Sequence, residues 1–153
     1  MIICSRRRTE WGSALNHQDT KFTKEHQEVG AEVDALASTV VDAGLKVHRA
    51  LGPDLMESIY EHCLARELQL RGLPIVRQVQ TPIVYEGLVL EAAYRMDMVV
   101  ANRIVIEVKA ADAFSPLHEA QLLTYLKLSG HRLGFLMNFN VPLFKNGVRR
   151  VVL

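Results

Sequence analysis

The first half of the chain carries apolar residues at helical spacing. Between about residues 33 and 51, apolar side chains recur at three- and four-residue steps, which predicts an amphipathic helix. A Gly-Pro pair interrupts this pattern, and Pro53 suits the first turn of a second helix because it has no N–H to donate. That helix is predicted over about residues 54–70, and Gly72 ends it. Its inward side chains are predicted to be Ile59, Cys63 and Leu70.

Beyond residue 74 the apolar period changes to two, which is typical of strands. Three strands are predicted: Ile75–Tyr85, Leu88–Val100 and Ile104–Lys109. The connections between them are short, so neighbouring strands should run antiparallel and form a meander. Pro82 predicts a bend or a sheet edge in the first strand, because proline cannot donate to a strand ladder.

A third helix and a further strand follow the meander. Ser115 is a good N-cap and Pro116 a good first-turn residue, so a helix is predicted over about residues 117–128, closed by Gly130. Residues 133–137 are predicted to form a fourth strand, and residues 148–153 a candidate fifth. The predicted order is ααβββαβ(β). It indicates an α/β fold with a mixed sheet and helices on its faces.

Composition bounds the class of protein. The chain has 153 residues, enough for one domain that folds without disulfides or a structural metal. Residues 1–30 are polar and aperiodic, so they are predicted to be an extension, with disorder as one alternative, in front of a domain over residues 31–153. Two cysteines without zinc spacing favour a reducing cytoplasm. No export signal or membrane-spanning segment is expected, and no membrane partner.

Charge is nearly balanced overall but not along the chain. The formal net charge is +1 at pH 7, yet no acidic residue follows Glu119, while five basic residues do. A basic face for a polyanion and simple solubility are both open interpretations of this distribution.

The third strand brings two opposite charges together. Side chains alternate along a strand, so Glu107 and Lys109 share one face. A structural ion pair is one interpretation, because burying either charge alone would be costly. Asp97, on the preceding strand, gives another: a short connection would bring it near Glu107, and two carboxylates with open positions suit Mg²⁺ or Mn²⁺. With Lys109 beside them, this pattern is suited to metal-assisted phosphodiester hydrolysis.

Asp97 followed by Glu107-Val108-Lys109 resembles the signature of the PD-(D/E)xK nuclease superfamily, and within it the GxxExxY group of small proteins. The resemblance covers about residues 33–153. The stretches that carry it are residues 47–53, 57–61, 94–97, 106–109, 118–126 and 138–143.

The resemblance implies a restriction-endonuclease-like core and a metal site. By this resemblance Asp97, Glu107 and the carbonyl of Val108 bind a divalent cation, with Lys109 near the attacking water. Glu57 corresponds to an additional acidic residue at the metal. Gln121 and Tyr125 match a Q-x-x-x-Y motif that lies beside the active site in related branches.

Three groups of residues leave alternatives open at this stage. Gln121 and Tyr125 are spaced to share a helix face that His118 can join, and this face points either to the site or to solvent. His48 is a further candidate metal ligand, although a histidine near a helix C-terminus also favours the helix dipole. Asn138 and Asn140 either contact phosphate or cap a turn, and the turn is favoured.

One residue departs from the family pattern. Asp54 stands where the group has a glycine. It would change the packing if that glycine admits another backbone, whereas an aspartate near a helix N-terminus is favourable.

The sequence therefore predicts a Mg²⁺- or Mn²⁺-dependent nuclease acting on nucleic acid, with DNA favoured. One alternative is a catalytically silent nucleic-acid-binding or assembly module with the same fold, and another is a structural protein whose charges form an ion-pair network. A homodimer is left open, because many nucleases cut duplexes as dimers.

Overall fold

The computed structural model describes residues 19–153, with side chains described for residues 30–91 and 94–153. In chain order the elements are α1 (Asp19–Leu51), α2 (Glu57–Leu70), β1 (Ile75–Tyr85), β2 (Leu88–Val100), β3 (Ile104–Lys109), α3 (Pro116–Ser129), β4 (Leu133–Asn138), a 3₁₀ turn (Phe144–Gly147) and β5 (Val148–Val152). Within this part of the chain, no helix is both long and apolar enough to cross a bilayer.

The five strands form one sheet in the order β1-β2-β3-β4-β5. All neighbours are antiparallel except β3 and β4, which run parallel and are joined through α3. The predicted α/β fold, the antiparallel meander and the fifth strand are confirmed. The mixed sheet agrees with a restriction-endonuclease-like core. Pro82 lies in the edge strand β1, where the register shifts between Thr81 and Ile83, as its backbone chemistry predicted.

The helices cover both faces of the sheet. On one face, α1 and α2 pack against Met98, Val100 and the apolar side of β3. On the other face, Leu122, Tyr125 and Leu126 of α3 pack against Val99, Val105 and Leu136. The helix α3 begins as predicted: the Oγ atom of Ser115 accepts from the amide of His118, and the Ser115 amide donates to Nδ1 of His118.

The helix α1 begins earlier than its apolar stripe predicts. It starts at Asp19, so residues 19–30 of the predicted polar extension have a helical backbone, whereas residues 1–18 lie outside the described part of the chain. Lys, Glu and Gln in this segment have high helix propensity and no apolar period, so a polarity pattern alone does not mark them as helical. Val33–Leu153 form a compact unit.

The start of α2 and its buried face both differ from the prediction. The helix begins at Glu57, so Pro53 lies in the preceding loop rather than in the first helical turn. That loop turns through two positive φ angles, 69° at Gly52 and 72° at Asp54.

The prediction that Ile59 and Leu70 face inward is wrong, since they are 37% and 62% exposed. Cys63 is half-buried against the core. The buried stripe runs at four-residue steps instead, through Tyr60, Leu64 and Leu68. Two buried acids, Glu61 and Glu67, lie beside this stripe. They interrupt the apolar pattern from which the prediction was made.

Candidate metal centre at the gap between two strands

The site lies where β2 and β3 separate. Their ladder has three pairs and stops at Met98 and Ile106. Beyond it, the amide of Val108 donates to Oδ2 of Asp97 at 2.9 Å, so a carboxylate takes the place of a strand carbonyl. Two residues further along the chain, the amide of Ala110 donates to Oε2 of Glu57, on α2, at 3.3 Å. The gap thus brings carboxylates from α2 and β2 to the edge of β3.

Val108 contributes a carbonyl to the same gap. In an extended strand the N–H and C=O of one residue point to the same side. Because the Val108 N–H points at Asp97, its carbonyl oxygen also faces the gap. The expected backbone ligand is therefore on the side of β3 that the carboxylates occupy.

Glu107 and Lys109 share the other important contact. The Nζ atom of Lys109 lies 2.7 Å from Oε1 of Glu107, and the Glu107 residue is only 2% exposed. The other oxygen of this carboxylate, Oε2, is buried and has no hydrogen-bond partner among the described residues. A buried carboxylate oxygen without a partner is costly, and a cation would satisfy it.

A cleft of about 520 Å³ joins these groups. All six side chains that the resemblance implies at the active site line it: Glu57, Asp97, Glu107, Lys109, Gln121 and Tyr125. Three further lining residues were missed by sequence reasoning: Gln80, Tyr94 and Arg95. Arg95 is two residues before Asp97, and this spacing could have suggested a shared strand face. Gln80 lies at the cleft because it pairs with Arg95, and the sequence does not reveal this register.

Burial sets the protonation of the two central carboxylates. It raises the pKa of Asp97 to about 6, although the Val108 amide and the charge of Lys109 oppose the rise. Burial also raises the pKa of Glu107 to about 7, and the charge of Asp97 adds to this effect. Two nearby, partly buried carboxylates resist being ionised together, and a bound cation removes that resistance.

Lys109 is a cation in this site. Burial alone would lower its pKa, but the hydrogen bond and charge of Glu107, with the charges of Glu57 and Asp97, raise it overall. A lysine held protonated can donate to water or phosphate, but it cannot serve as a general base.

Gln121 and Tyr125 form the wall of the cleft on α3. The Nε2 atom of Gln121 donates to the hydroxyl of Tyr125 at 2.6 Å, and the ring of Tyr125 meets that of Tyr94 edge-on with centroids 5.7 Å apart. Burial and the charge of Glu107 raise the pKa of Tyr125, so its hydroxyl stays neutral. The polar stripe thus faces the site.

His48 and His118 do not line this cleft. The Nε2 atom of His48 donates to the carbonyl of Val141 at 2.7 Å, and its ring packs against Phe144. His118 caps the start of α3 instead of joining the stripe of Gln121 and Tyr125.

The two asparagines brace the turn beyond β4, as favoured from the sequence. Asn138 is buried and its side chain bonds both the amide and the carbonyl of Ala111. Asn140 accepts from the amide of Asp54 and approaches Asp112. They therefore hold the segment after β3 and the loop before α2, and they do not line the cleft.

The basic residues of the last strand do not form a common face. Arg149 pairs with Glu119 and Arg150 pairs with Asp34. Consecutive strand residues point to opposite faces, so these two guanidinium groups are separated by the sheet. Their charges do not support the polyanion interpretation of the basic C-terminal third.

The donor set of the cleft fits a hard divalent cation. Carboxylates of Asp97, Glu107 and Glu57 and the carbonyl of Val108 are all oxygen donors, which suits Mg²⁺ or Mn²⁺. Within residues 19–153, no three acidic, histidine or cysteine side chains converge tightly enough to enclose a metal ion alone. Mg²⁺ usually keeps several waters beside one or two carboxylates, so an open set of this kind is adequate.

Among known protein families, the chain matches the PD-(D/E)XK nuclease superfamily over residues 34–151. Neither the curated proteins nor the solved structures contain a significant match. The matched stretch includes every residue that lines the cleft, from Glu57 to Tyr125.

Proposed function

Because the chain belongs to the PD-(D/E)XK nuclease superfamily, we propose that it is a divalent-metal-dependent nuclease that hydrolyses phosphodiester bonds in DNA. The buried, unpartnered Oε2 atom of Glu107 carries the proposal, because it lies in one cleft with Asp97 and Lys109. The motif at residues 57–60, Glu-x-x-Tyr, supports placing the protein in the GxxExxY group.

Asp97, Glu107 and the carbonyl of Val108 would hold Mg²⁺ or Mn²⁺, with Glu57 as an additional acid. When bound, the cation would lower the pKa of a coordinated water and neutralise charge on the scissile phosphate. Asp97 is already oriented by the Val108 amide, and Glu57 by the Ala110 amide, so these ligands need little rearrangement.

Lys109 would act on the attacking water and on the transition state. Its ammonium group is fixed by Glu107 at 2.7 Å and has further N–H groups to donate. It would orient the water and stabilise the charge that develops on the phosphate. Gln121 and Tyr125, bonded to each other, would position the substrate and Lys109.

Arg95 and Gln80 would hold a second phosphate of the substrate. They lie opposite each other on β2 and β1, both line the cleft, and both are exposed. A guanidinium group matches phosphate in geometry and charge. Its position at the rim would offset the repulsion between the acidic cleft and an incoming polyanion.

Cleavage of labelled nucleic acid tests the proposal. Single-stranded DNA, duplex DNA and RNA are incubated with Mn²⁺, Mg²⁺ or EDTA, beside Asp97→Ala and Lys109→Ala, with Lys127→Ala as an exposed control. We expect metal-dependent cleavage of DNA that both site variants lose and Lys127→Ala retains. Sedimentation with duplex DNA then measures whether one copy or a homodimer acts.

The competing function is a silent nucleic-acid-binding or assembly module. The open arrangement of the acids, of which no three enclose a metal within the described chain, favours it. It predicts salt-dependent DNA binding without cleavage in any metal. Calorimetry with Mn²⁺ separates the two: binding that depends on Asp97 and Glu107 supports the nuclease, and its absence supports the module.

A further inference from the structure

The pairing between β1 and β2 is interrupted opposite Asp97. The register is regular from Ile75 to Arg77 and again from Val79 to Thr81, but Gln78 and Asp97 do not pair. Gln78 has a φ angle of 53°, a left-handed conformation that a glutamine in a strand rarely adopts.

The interruption turns the strand that carries Asp97. Residues two apart on a regular strand face the same side of the sheet. Met98 packs in the core beneath α1 and α2, yet Met96 packs in the core beneath α3. The backbone of β2 therefore rotates at Asp97, and this rotation directs the carboxylate at the Val108 amide.

A buried acid on α2 holds the distorted part of β1. The Oε1 atom of Glu61 accepts from Nε2 of Gln78 at 2.8 Å and from Nη2 and Nε of Arg77 at 2.8 and 3.1 Å. Glu61 is 8% exposed, and it does not line the cleft. We refer to Glu61, Arg77 and Gln78 as the clasp.

We infer that the clasp is a positioning device for Asp97, which keeps residue 78 left-handed and thereby keeps the Asp97 carboxylate in the metal-binding position. Without the clasp, the two strands would be more stable with the regular pair between residues 78 and 97 restored. Glu61 anchors the clasp to α2, which also carries Glu57. This helix would therefore supply Glu57 to the cleft and orient Asp97 as well. The consequence for metal affinity rests on the proposed function, whereas the positioning of Asp97 does not.

The chain offers a matched control for Glu61. Glu67 lies on the same helix, is also 8% exposed and is also held by an arginine, Arg71, with Lys46 as a second partner. Its pair is with α1 and its own helix, away from the cleft. Glu61→Ala and Glu67→Ala should therefore cost similar stability, but they should differ at the site.

Calorimetric titration of Mn²⁺ separates positioning from stability. We expect Glu61→Ala to weaken Mn²⁺ binding by about tenfold or more, the scale of outer partners that orient metal ligands, and Glu67→Ala to leave it unchanged. Equal affinities in the two variants would overturn the inference.

Substitutions at Gln78 test the backbone conformation without touching α2. Both Gln78→Gly and Gln78→Val lose the bond to Glu61, but glycine adopts positive φ readily and β-branched valine does not. Valine should weaken Mn²⁺ binding about tenfold while glycine stays close to the wild type. Equal losses in both variants would contradict the role of the left-handed residue.

Hydrogen exchange of the Val108 amide provides a readout that needs no metal. This amide is bonded to the Asp97 carboxylate, so its exchange reports whether that carboxylate is in place. Exchange should accelerate in Glu61→Ala, Gln78→Val and Asp97→Ala, but not in Glu67→Ala. If the wild type binds no Mn²⁺, the proposed function fails while this measurement still decides the clasp: unchanged exchange in Glu61→Ala overturns it.

Discussion

At the scale of single residues, Glu107 is the most buried carboxylate of the cleft, and its charge works against the fold. Burial and its neighbour Asp97 raise its pKa to about 7. The folded chain therefore binds protons more tightly here than the unfolded chain, whose glutamates titrate near pH ~4.3. Stability from this source is present at low pH and is lost as pH rises through about 7.

A first prediction follows for stability in EDTA. Glu107→Gln removes the titrating group. The free energy of unfolding of the variant relative to the wild type should therefore be larger at pH 8 than at pH 5. Urea unfolding at the two pH values measures the difference. Hydrogen bonds from Lys46 and Arg71 lower the pKa of Glu67, which stays ionised throughout this range. Glu67→Gln should therefore change stability equally at both pH values; an equal change for Glu107→Gln would contradict the prediction.

Residue chemistry alone made the core of the site predictable. Side-chain alternation placed Glu107 and Lys109 on one face, and a short connection brought Asp97 to them. Arg95 and Gln80 were missed because their approach depends on the β1–β2 register. The role of Gln78 depends on a backbone angle that no spacing rule encodes.

At the scale of elements, the loop before α2 explains the departure at Asp54. This residue has a φ angle of 72°, which glycine adopts without strain but a residue with a side chain does not. A glycine, which the GxxExxY group has at this position, would meet this backbone requirement. The helix-terminus interpretation fails because α2 begins three residues later, at Glu57.

A second prediction concerns that position. The left-handed conformation costs an L-residue ~1–2 kcal/mol, a strain that glycine avoids. Glycine, however, loses more chain entropy on folding, which costs ~0.5–1 kcal/mol of stability. Asp54→Gly should thus raise the free energy of unfolding by about 0.5–1 kcal/mol in urea titrations. Asp54→Ala is the control, because alanine keeps the strain; an equal gain in both variants would remove this explanation.

A third prediction concerns Tyr60, which ties the same loop to α2. Its buried hydroxyl donates to the carbonyl of Gly52 at 2.6 Å and accepts from the amide of Leu55 at 3.2 Å. Tyr60→Phe leaves both backbone groups without this partner, so we expect a loss of about 1–3 kcal/mol. Tyr125→Phe, whose hydroxyl bonds only a side chain, should cost less by the same thermal or urea measurement, and equal losses would argue against the role of the loop.

Element bounds were easier to predict than element faces. The strand limits followed from period, Gly-containing turns and Pro positions, all local signals. The face of α2 did not, because Glu61 and Glu67 are buried with paired charges, which a polarity pattern assigns to solvent. Only the tertiary partners, from β1 and α1, make those positions interior.

At the scale of the whole molecule, the proposed metal site would join elements that the sheet leaves apart. Its proposed ligands are Glu57 from α2, Asp97 from β2 and Glu107 from β3, which meet at the gap where the ladder stops. A cation held there would tie these elements only in the folded state. Binding should therefore stabilise the whole compact unit, not merely the cleft.

A fourth prediction gives that effect a size. At a free Mn²⁺ concentration of ~100 times its dissociation constant, stabilisation reaches about 2.7 kcal/mol. For a domain near this length that raises Tm by roughly 5–10 °C. Thermal unfolding at pH 8 with Mn²⁺ and with EDTA measures it. Asp97→Asn should abolish the shift, and a shift that persists in this variant would place the cation elsewhere.

The mixed sheet and the order of elements were predictable because the connections are short and a single crossover helix joins parallel neighbours. The helical backbone of residues 19–30 was not, since a polar helix carries no apolar stripe. The division between an extension over residues 1–30 and a domain over residues 31–153 stays a prediction.

The spatial order of the strands, β1 to β5, repeats their order along the chain. A nascent chain emerging from the ribosome can therefore add each strand to an existing edge, and no strand has to enter between two already paired. All cleft residues precede β4, but β3 has a free edge until β4 is made. All residues that line the cleft are thus translated before β3 is paired along both of its edges.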